Sequence, residues 1–384
     1  MKSSFDITIV GGGIAGLTLA ALLATSRHAD SLHVTVIDAA KRPAFRSDSD
    51  IALRVSAIAN GSAELFDSIG VWNAVTAARI SPYEHMRVWD ESDLPDSASA
   101  LTFDAAEFAV PQLGFIVENV LLQNALLDRL ETTDAQLEFE SRLDGLPTAD
   151  LLIGADGARS FVREQAGIKT HRWPYQQTAV VTHLETEKPH GATAWQRFLR
   201  AGPLGMLPLA DGRISVVWST TPDIAKQAMA ATDAELASML TTASDLVLGE
   251  LRVAGPKGAF PLSAQHADEY VRPGLALIGD AAHAIHPLAG QGANLGLQDA
   301  AELASVITAA LDEGLHPGDR PVLRRFERAR KGDNLTMLHF MTGLNRLFTT
   351  DSALVRELRT AGMRMFNRSG PIKERAVKVA LGVS

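Results

Sequence analysis

The feature that most limits how this chain can fold is a glycine-rich turn, GGGIAG, at residues 11–16. A short apolar run at residues 7–10 precedes the turn, and a helical pattern follows it to about residue 26. A second apolar run, at residues 33–38, completes a strand–helix–strand unit. Such a unit predicts parallel strands whose faces are covered by helices. We therefore expect an α/β protein built on a parallel sheet.

The spacing of the glycines in this turn is that of a dinucleotide-binding site. Gly11 allows the tight turn from strand to helix, Gly13 lets the backbone approach a pyrophosphate, and Gly16 lets helix and strand pack closely. Asp38 ends the second strand, 22 residues after Gly16, where an acid can hold ribose hydroxyls. A glycine turn without a ligand is the alternative, but the strand, helix, strand and acid together favour dinucleotide binding.

The pattern of apolar residues changes twice along the chain. Residues 60–75 and 119–131 are predicted helices, the first with Asn60 as its cap, and residues 136–140 and 150–154 are predicted strands. Residues 178–219 alternate between polar and apolar side chains, which predicts an antiparallel sheet with a hairpin turn at Asp211-Gly212. Its strands are expected at residues 179–184, 194–199, 205–209 and 213–219.

The parallel type of pattern returns with a strand at residues 274–279 and a long helix that ends at about residue 311. From Pro321 onward the chain is predicted to be helical, with a break at residues 369–371. The expected fold is thus a Rossmann-like α/β domain, an inserted antiparallel β-sheet domain and a helical C-terminal tail. The first domain is expected at residues 1–80, 106–172 and 266–345, the sheet domain at 81–105 and 173–265, and the tail at 346–384.

Two further segments combine glycine with aspartate at the ends of predicted strands. Gly279-Asp280 leads into a loop with three glycines in seven positions before the long helix, which predicts a backbone-lined anion site. Asp280 can accept hydrogen bonds from a polyol or act as an ordinary helix cap. Asp156-Gly157, followed by Ser160 and Arg163, is only a turn on spacing alone.

Together these three motifs resemble, in order and spacing, the fingerprints of the single-component FAD aromatic hydroxylases, the para-hydroxybenzoate hydroxylase superfamily. The resemblance implies that FAD is bound and that NADPH or NADH binds transiently as reductant, since the chain has one G-x-G-x-x-G motif. By that resemblance, Asp156-Gly157 supports both FAD and the reductant. The cofactor-binding residues that the resemblance implies are Gly11, Gly13, Ile14, Ala15, Gly16, Asp38, Arg54, Asp156, Gly279, Asp280, Pro287, Gly290, Gly292, Ala293 and Asn294.

Narrower features identify the chain as a member of the ubiquinone-biosynthesis hydroxylases, namely residues 195–219, 286–299 and 339–382. The resemblance implies hydroxylation of the aromatic ring of a polyprenylated ubiquinone precursor by O2 through a flavin C4a-hydroperoxide. Pro287 is then expected beside the flavin C4a, and the backbone of Gly292, Asn294 and Leu295 is expected to face the flavin pyrimidine. Alternatives are a hydroxylase of a small soluble phenol or aromatic acid, a flavin-dependent halogenase or prenyl-chain reductase, and a non-catalytic FAD scaffold.

No substrate-activating base can be named from the sequence with assurance. His183, His286 and Tyr175 are candidates, although each is individually better explained as a packed or surface residue. Arg197 and Trp218 are expected as pocket-lining residues, with an exposed arginine and a core tryptophan as the equal alternative.

The charge distribution restricts the partners. The net charge of −9 argues against nucleic acid, and a chain without cysteine has no thiolate metal site or disulfide. No signal peptide is recognised, so we expect a cytoplasmic protein, at most peripheral at the inner face of the cytoplasmic membrane. The tail from Asp351 carries a net charge of +4 and either is a solvated helix pair or contacts anionic lipid. A quinone-biosynthesis complex is a further expected partner.

For the lipid-contact alternative, basic and apolar residues of the tail are expected to act together. The basic ones are Arg356, Arg359, Arg364, Arg368, Lys373, Arg375 and Lys378. The apolar ones are Leu354, Leu358, Met363, Met365 and Phe366.

Overall fold

The computed structural model describes residues 4–382, without the side chains of residues 289, 291, 371, 372, 379 and 380. The ends of the predicted first domain and tail, at residues 1–3 and 383–384, lie outside the described residues. Its strands are β1 (Phe5–Val10), β2 (Leu32–Ile37), β3 (Val55–Ile58), β4 (Ser81–Tyr83), β5 (His85–Asp90), β6 (Leu101–Asp104), β7 (Gly114–Glu118), β8 (Gln136–Glu138), β9 (Leu151–Gly154), β10 (Thr170–Thr186), β11 (Thr193–Leu199), β12 (Gly202–Pro208), β13 (Ile214–Thr220), β14 (Leu251–Val253), β15 (Gly258–Ala267), β16 (Val271–Arg272), β17 (Leu275–Leu277) and β18 (His283–Ala284).

The helices alternate with these strands in the first part of the chain and follow one another at its end. They are α1 (Ile14–Ala24), α2 (Asn60–Ser68), α3 (Trp72–Ala78), α4 (Asn119–Leu130), α5 (Phe161–Gln165), α6 (Pro222–Ala230), α7 (Asp233–Ala243), α8 (Gln291–Asp312), α9 (Arg320–Thr349), α10 (Ala353–Asn367) and α11 (Pro371–Leu381). No helix within residues 4–382 is both long and apolar enough to cross a lipid bilayer.

The first sheet is mainly parallel and is built around β1. Its strand order is β16, β17, β9, β1, β2, β8, with β16 antiparallel to β17. Residues 7–10 of β1 are buried on both faces, as expected of a strand covered by helices on both sides. Helix α1 is apolar around its whole circumference because the sheet, α4 and α8 enclose it. This arrangement confirms the α/β class and brings the loops after β1 and β17 together.

The second and larger sheet runs in the order β18, β15, β10, β13, β12, β11, β5, β6, with β14 paired to the far end of β10. Its alternation of side chains buries one face, including Val180, Leu204 and Trp218, under α6 and α7. The opposite face is turned toward the parallel sheet and forms one side of a large cavity. A small third sheet runs in the order β3, β7, β4, and it contacts α8 through β3 and β12 of the large sheet through β4.

Several sequence-based expectations about this large sheet are corrected. The sheet is not purely antiparallel, because β11 and β5 pair in parallel. Strand β10 is 17 residues long, with a register shift between Pro174 and Gln177, whereas the alternation predicted only residues 179–184. The predicted domain boundaries at 172/173 and 265/266 fall inside β10 and β15, and they stay a prediction.

The helix expected at residues 60–75 is two helices, α2 and α3, because Gly70 turns the chain with a φ of +74°. Asn60 does not cap α2 as expected. Its side-chain amide donates a hydrogen bond to the carbonyl of Gln112 (2.9 Å), and Ala59 occupies the cap position. The tail is helical with a break at residues 368–370, one residue earlier than expected because Pro371 begins α11, and a further break at residues 350–352 separates α9 from α10.

Candidate active site

The glycine turn after β1 is held by contacts that only glycine permits. A Cβ on Gly11, whose φ is +117°, would lie 2.3 Å from the carbonyl oxygen of Ala155, and one on Gly16 would lie 2.1 Å from the carbonyl oxygen of Gly11. Gly13 is different, because a Cβ there would have no heavy atom within 4 Å. Its open side faces a large cavity, which is the arrangement expected where a backbone must approach a ligand.

Asp38 reinforces this turn from the end of β2. Its carboxylate accepts hydrogen bonds from the backbone N–H groups of Gly12 (2.6 Å) and Ala40 (2.7 Å) while facing the cavity. Gln123 of α4, which sequence reasoning missed, also lines the cavity and donates to the carbonyl of Gly12 (2.9 Å). An amide on an amphipathic helix gives no recognisable signal in one sequence.

The other two motifs meet at the carboxyl end of the parallel sheet. The buried Arg163 donates to the carbonyls of Ala281 (2.8 Å) and Ala158 (2.9 Å), so it joins the two motif loops, and burial lowers its pKa. Asp156 accepts from the backbone of Val162, and Ser160 caps α5. The resemblance implies that these residues act at one site, and the hydrogen bonds of Arg163 show how their two loops are joined.

Asp280 points into the cavity, as its predicted role requires. Its side chain is exposed to the cavity although it lies deep in the fold. That depth raises the pKa of Asp280, and the nearby charges of His283 and Arg54 partly oppose the shift. No protein hydrogen bond to its carboxylate is present within residues 4–382, so both oxygens are available to hydroxyl groups of a ligand.

Asp299 of α8 is a buried hub that sequence reasoning missed. It accepts hydrogen bonds from the backbone of Gly279 (3.0 Å), Nε2 of His283 (2.5 Å), Nε of Arg330 (2.9 Å) and Nδ2 of Asn334 (3.0 Å). Burial opposes ionisation of Asp299, but the charges of His283 and Arg330 outweigh it and lower the pKa to about 2. The hub therefore fixes the Gly279-Asp280 loop against α8 and α9.

The loop before α8 combines exposed backbone with one inward-facing amide. A Cβ on Gly292 would meet nothing within 4 Å, and Pro287, Gly290 and Ala293 also line the cavity. The first turn of α8 thus presents free N–H groups and a partial positive charge to the cavity. Leu295 is buried and is not among the described lining residues, because the helix turns it inward. The expected approach of its backbone to the flavin stays a prediction.

Asn294 lines the cavity, but its side chain points toward α2. Its Oδ1 accepts from the backbone of Ala59 (3.0 Å) and the hydroxyl of Ser62 (2.8 Å), and its Nδ2 donates to the carbonyl of Ala57 (2.9 Å). These bonds hold the first turn of α8 against the start of α2.

None of the three candidate bases lines the cavity within the described residues. His286 is fully buried, its Nε2 hydrogen-bonds Oε1 of Gln177 (3.0 Å), and burial lowers its pKa to about 4. Tyr175 bonds Thr342, and burial raises its pKa. The pKa of His183 is lowered, mainly by burial and to a lesser extent by the positive charge of Arg213. His286 instead holds the adjacent residue, Pro287, in place. It can do so because its hydrogen-bond partner, Gln177, is itself fixed by a hydrogen bond from Nδ2 of Asn345 (3.1 Å).

Arg197 and Trp218 do not line the cavity, and the register of the large sheet explains why. Arg197, Leu204 and Trp218 form one cross-strand row, and that row faces α6 and α7. Arg197 donates to the carbonyl of Ala243 (3.0 Å) at the end of α7. The adjacent row, which includes Gln196, faces the cavity instead. The core alternative is therefore correct for Trp218.

The cavity has a volume of about 1380 Å³, larger than the roughly 300–1,000 Å³ of an ordinary small-molecule site. Its charged lining is confined to the motif end, at Asp38, Arg54, Arg142, Asp156, Arg159 and Asp280. Among the described residues, those contributed by the large sheet, α10 and α11 carry no charge. The site can therefore take a long polar ligand at one end and a neutral, largely apolar one at the other.

Known proteins are similar in sequence to this chain over 98% of its length. Residues 147–330 match the family model described as an FAD binding domain, and residues 9–67 match that of an NAD(P)-binding Rossmann-like domain. A 3-demethoxyubiquinol 3-hydroxylase of Escherichia coli (strain K12) is 38% identical, covering 98% of each chain. The ubiquinone hydroxylase UbiL of Rhodospirillum rubrum is 37% identical, covering 98% of this chain and 89% of its own. The mitochondrial ubiquinone biosynthesis monooxygenase COQ6 of Homo sapiens is 31% identical, covering 98% and 92%.

Solved structures share the fold. The p-nitrophenol 4-monooxygenase PnpA of Pseudomonas putida DLL-E4 matches with a TM-score of 0.77 at 18% identity, covering 100% of this chain and 98% of its own. P. aeruginosa PqsL, in complex with 2-aminobenzoylacetate, matches with a TM-score of 0.74 at 22% identity, covering 94% and 99%. At such identities the likeness concerns the architecture alone.

Proposed function

This chain belongs to the ubiquinone-biosynthesis family of FAD-dependent aromatic monooxygenases, and we propose that its substrate is a polyprenylated ubiquinone precursor whose ring it hydroxylates. FAD is its cofactor, NAD(P)H the reductant and O2 the proposed oxidant. The observation that carries the substrate proposal is the uncharged, largely apolar end of the cavity between the large sheet and the tail. A prenylated ring has no formal charge for the protein to balance.

The residues present fit FAD. Gly13 and Gly292 leave open backbone on the cavity, Asp280 offers an unpaired carboxylate, and the volume exceeds what a substrate alone needs. Gly13 and α1 would hold the pyrophosphate, Asp38 the ribose, and Asp280 the ribityl hydroxyls. When bound, the flavin supplies the activation of O2 that no amino-acid side chain provides.

The protein's own part is to orient the ring and exclude water. Pro287 is fixed at the cavity wall through His286, Gln177 and Asn345. Tyr83, Gln196 and Ser219 are the polar side chains facing the substrate end, and they can bind the oxygens of a ring. The Tyr83 hydroxyl is a hydrogen-bond donor at neutral pH, and burial raises its pKa further from that range, to about 12.

The alternative of a small aromatic acid is disfavoured by the same lining. A substrate carboxylate in this end of the cavity would be desolvated without a cationic partner, which costs several kcal/mol. The basic residues that line the cavity, Arg54, Arg142 and Arg159, all lie at the motif end. A neutral phenol is small enough for the cavity but would leave most of the apolar surface unfilled.

The lipid quinones of a strain lacking this protein test the proposal. We expect ubiquinone to fall and one precursor lacking a ring oxygen to accumulate, and its mass and structure by mass spectrometry identify the position hydroxylated. Complementation with the wild-type chain should restore ubiquinone, while an empty vector should not. An unchanged profile in a strain without a paralogue would contradict the quinone substrate and favour a soluble aromatic.

We further propose that the outer face of α10 contacts the inner surface of the cytoplasmic membrane, where a prenylated substrate resides. Leu354, Leu358 and Met365 lie on one face of α10 and are exposed, with Arg364 and Arg368 beside them. Of the residues expected in such a contact, Arg359 is instead buried against Asp90 (2.6 Å), and Lys373 against Glu107 (2.8 Å). Met363 is buried and Phe366 lines the cavity.

Vesicle flotation tests this contact. The Leu358→Glu variant should bind vesicles containing anionic lipid about tenfold less than wild type, since burying a leucine contributes about 1.5–3 kcal/mol. Leu315→Glu is the control, because Leu315 is also an exposed leucine but lies between α8 and α9, at the opposite end of α9 from α10. Flotation that does not depend on anionic lipid, or equal losses of vesicle binding in both variants, would contradict a membrane contact and favour a protein partner at this face.

A further inference from the structure

The C-terminal helix α11 is a wall of the cavity. Ala376, Val377 and Leu381 line it, together with Phe366 at the end of α10. Lys373, Val377 and Leu381 are spaced by four residues, so they share one face of α11, and all three are buried. The side chains of Val377 and Leu381 pack with Ala105 and Leu113 and against Tyr83, Met86 and Phe103. The tail thus completes the apolar end of the cavity.

Two anchors hold α11 in this place. Nζ of Lys373, which is 3% exposed, lies 2.8 Å from both carboxylate oxygens of Glu107 and 5.4 Å from the centroid of the Phe103 ring. At the other end, a Cβ on Gly61 would lie 2.3 Å from the carbonyl oxygen of Gly382, so the chain after α11 rests on the start of α2. A buried lysine with a single carboxylate partner is costly unless the segment stays docked.

The surface that α11 presents is suited to an apolar chain rather than to a ring. Val377 and Leu381 contribute aliphatic side chains, which have no hydrogen-bonding group. The wall that faces them consists of Met86, Phe103 and Leu113. Two of the three polar groups that can orient a ring, Gln196 and Ser219, belong to the middle strands of the large sheet, while the third, Tyr83 of β4, packs with its ring against the cluster that contains Val377 and Leu381. A ligand whose ring sits at those strands would extend its apolar substituent toward α11.

From these observations we infer that α11 forms a subsite for the apolar chain of the substrate, in which Val377 and Leu381 select for chain length. The inference rests on the proposed function for the identity of the ring. The inference adds that the C-terminal tail is part of the binding site and determines which lengths of the substrate's apolar chain are accepted.

The test compares two analogues with the same precursor ring, one with a single isoprene unit and one with several. In Val377→Trp the added bulk should lower kcat/KM for the long-chain analogue about tenfold, as expected for overpacking of roughly 1–3 kcal/mol, and change that for the short analogue less than twofold. FAD content should be unchanged. Glu374→Trp is the control, since Glu374 lies on the exposed face of α11 and, among the described side chains, forms an ion pair with exposed Lys378 alone.

The outcomes separate the inference from the proposed function. If wild-type protein hydroxylates neither analogue, the proposed function fails. If wild-type protein hydroxylates both and Val377→Trp keeps the wild-type ratio between them, the chain subsite is wrong. Should that variant not fold, a diazirine at the end of the long chain provides a second test on the wild-type protein. Labelling within residues 361–382 supports the subsite, and labelling confined to other peptides overturns it.

Discussion

Replacing Gly13 with valine should give a folded protein that does not retain FAD. The backbone of Gly13 has a φ of −75° and a ψ of 174°, which valine adopts readily, and a Cβ there contacts no protein atom within 4 Å. The side chain would instead occupy the space in which the pyrophosphate approaches the backbone. Loss of charge-assisted hydrogen bonds worth about 1.5–3 kcal/mol, together with the steric conflict, should weaken FAD binding by about 100-fold.

Flavin absorbance of the purified protein and titration calorimetry on the apoprotein measure this effect, and circular dichroism reports the fold. Gly332→Ala is the matched control, because a Cβ on Gly332 of α9 also meets nothing within 4 Å but lies outside the cavity lining. This control should keep FAD and gain a little stability from better helix propensity. Wild-type affinity in the valine variant would show that the cofactor does not lie against Gly13.

The second large effect is expected from Asp299→Ala. The substitution would leave Arg330, the His283 ring and the Gly279 N–H buried without their shared acceptor. Removing one partner of a buried ion pair costs about 3–5 kcal/mol, so the free energy of unfolding of the apoprotein should fall by that amount. Because Gly279 leads into Asp280, FAD affinity should fall as well.

Denaturant unfolding of the apoproteins compares this variant with Asp312→Ala on the same helix. Asp312 also pairs with an arginine and a histidine, Arg27 and His28, but at the surface. Exposed pairs contribute about 0–1 kcal/mol, so the control should remain close to wild type. Equal stability losses in the two variants would mean that burial does not distinguish the Asp299 network.

The glycine motif could be interpreted from the sequence because its contacts are local. Strand, turn and helix are consecutive, and Asp38 is one element away. The orientation of Arg197 and Trp218 was not predictable, since a shift of one residue in strand register exchanges the two faces of a sheet. The Asp299 network escaped prediction for another reason. Its members come from β18, α8 and α9 and meet only in the folded chain.

The tail shows the same limit of sequence reasoning. Its seven basic residues form one pattern in the sequence, yet the fold buries Arg359 and Lys373 in ion pairs and leaves others exposed. An amphipathic pattern identifies a face but not what covers it. The distinction between the cavity-facing residues of α11 and the exposed face of α10 required tertiary packing.

The strand order of the parallel sheet also determines when this protein can fold during its synthesis. The strand β1 lies beside β9, and β9 beside β17, so the sheet joins segments from residue 5 to residue 277. Loops of that length close slowly, and the apolar edge of β9 stays unpaired on the ribosome until β17 has emerged. An N-terminal fragment that carries the glycine motif would lack both β17 and the loop of Asp280. Such a fragment should aggregate rather than act as an independent nucleotide-binding module, so the cofactor site is complete only after about three quarters of the chain has been made.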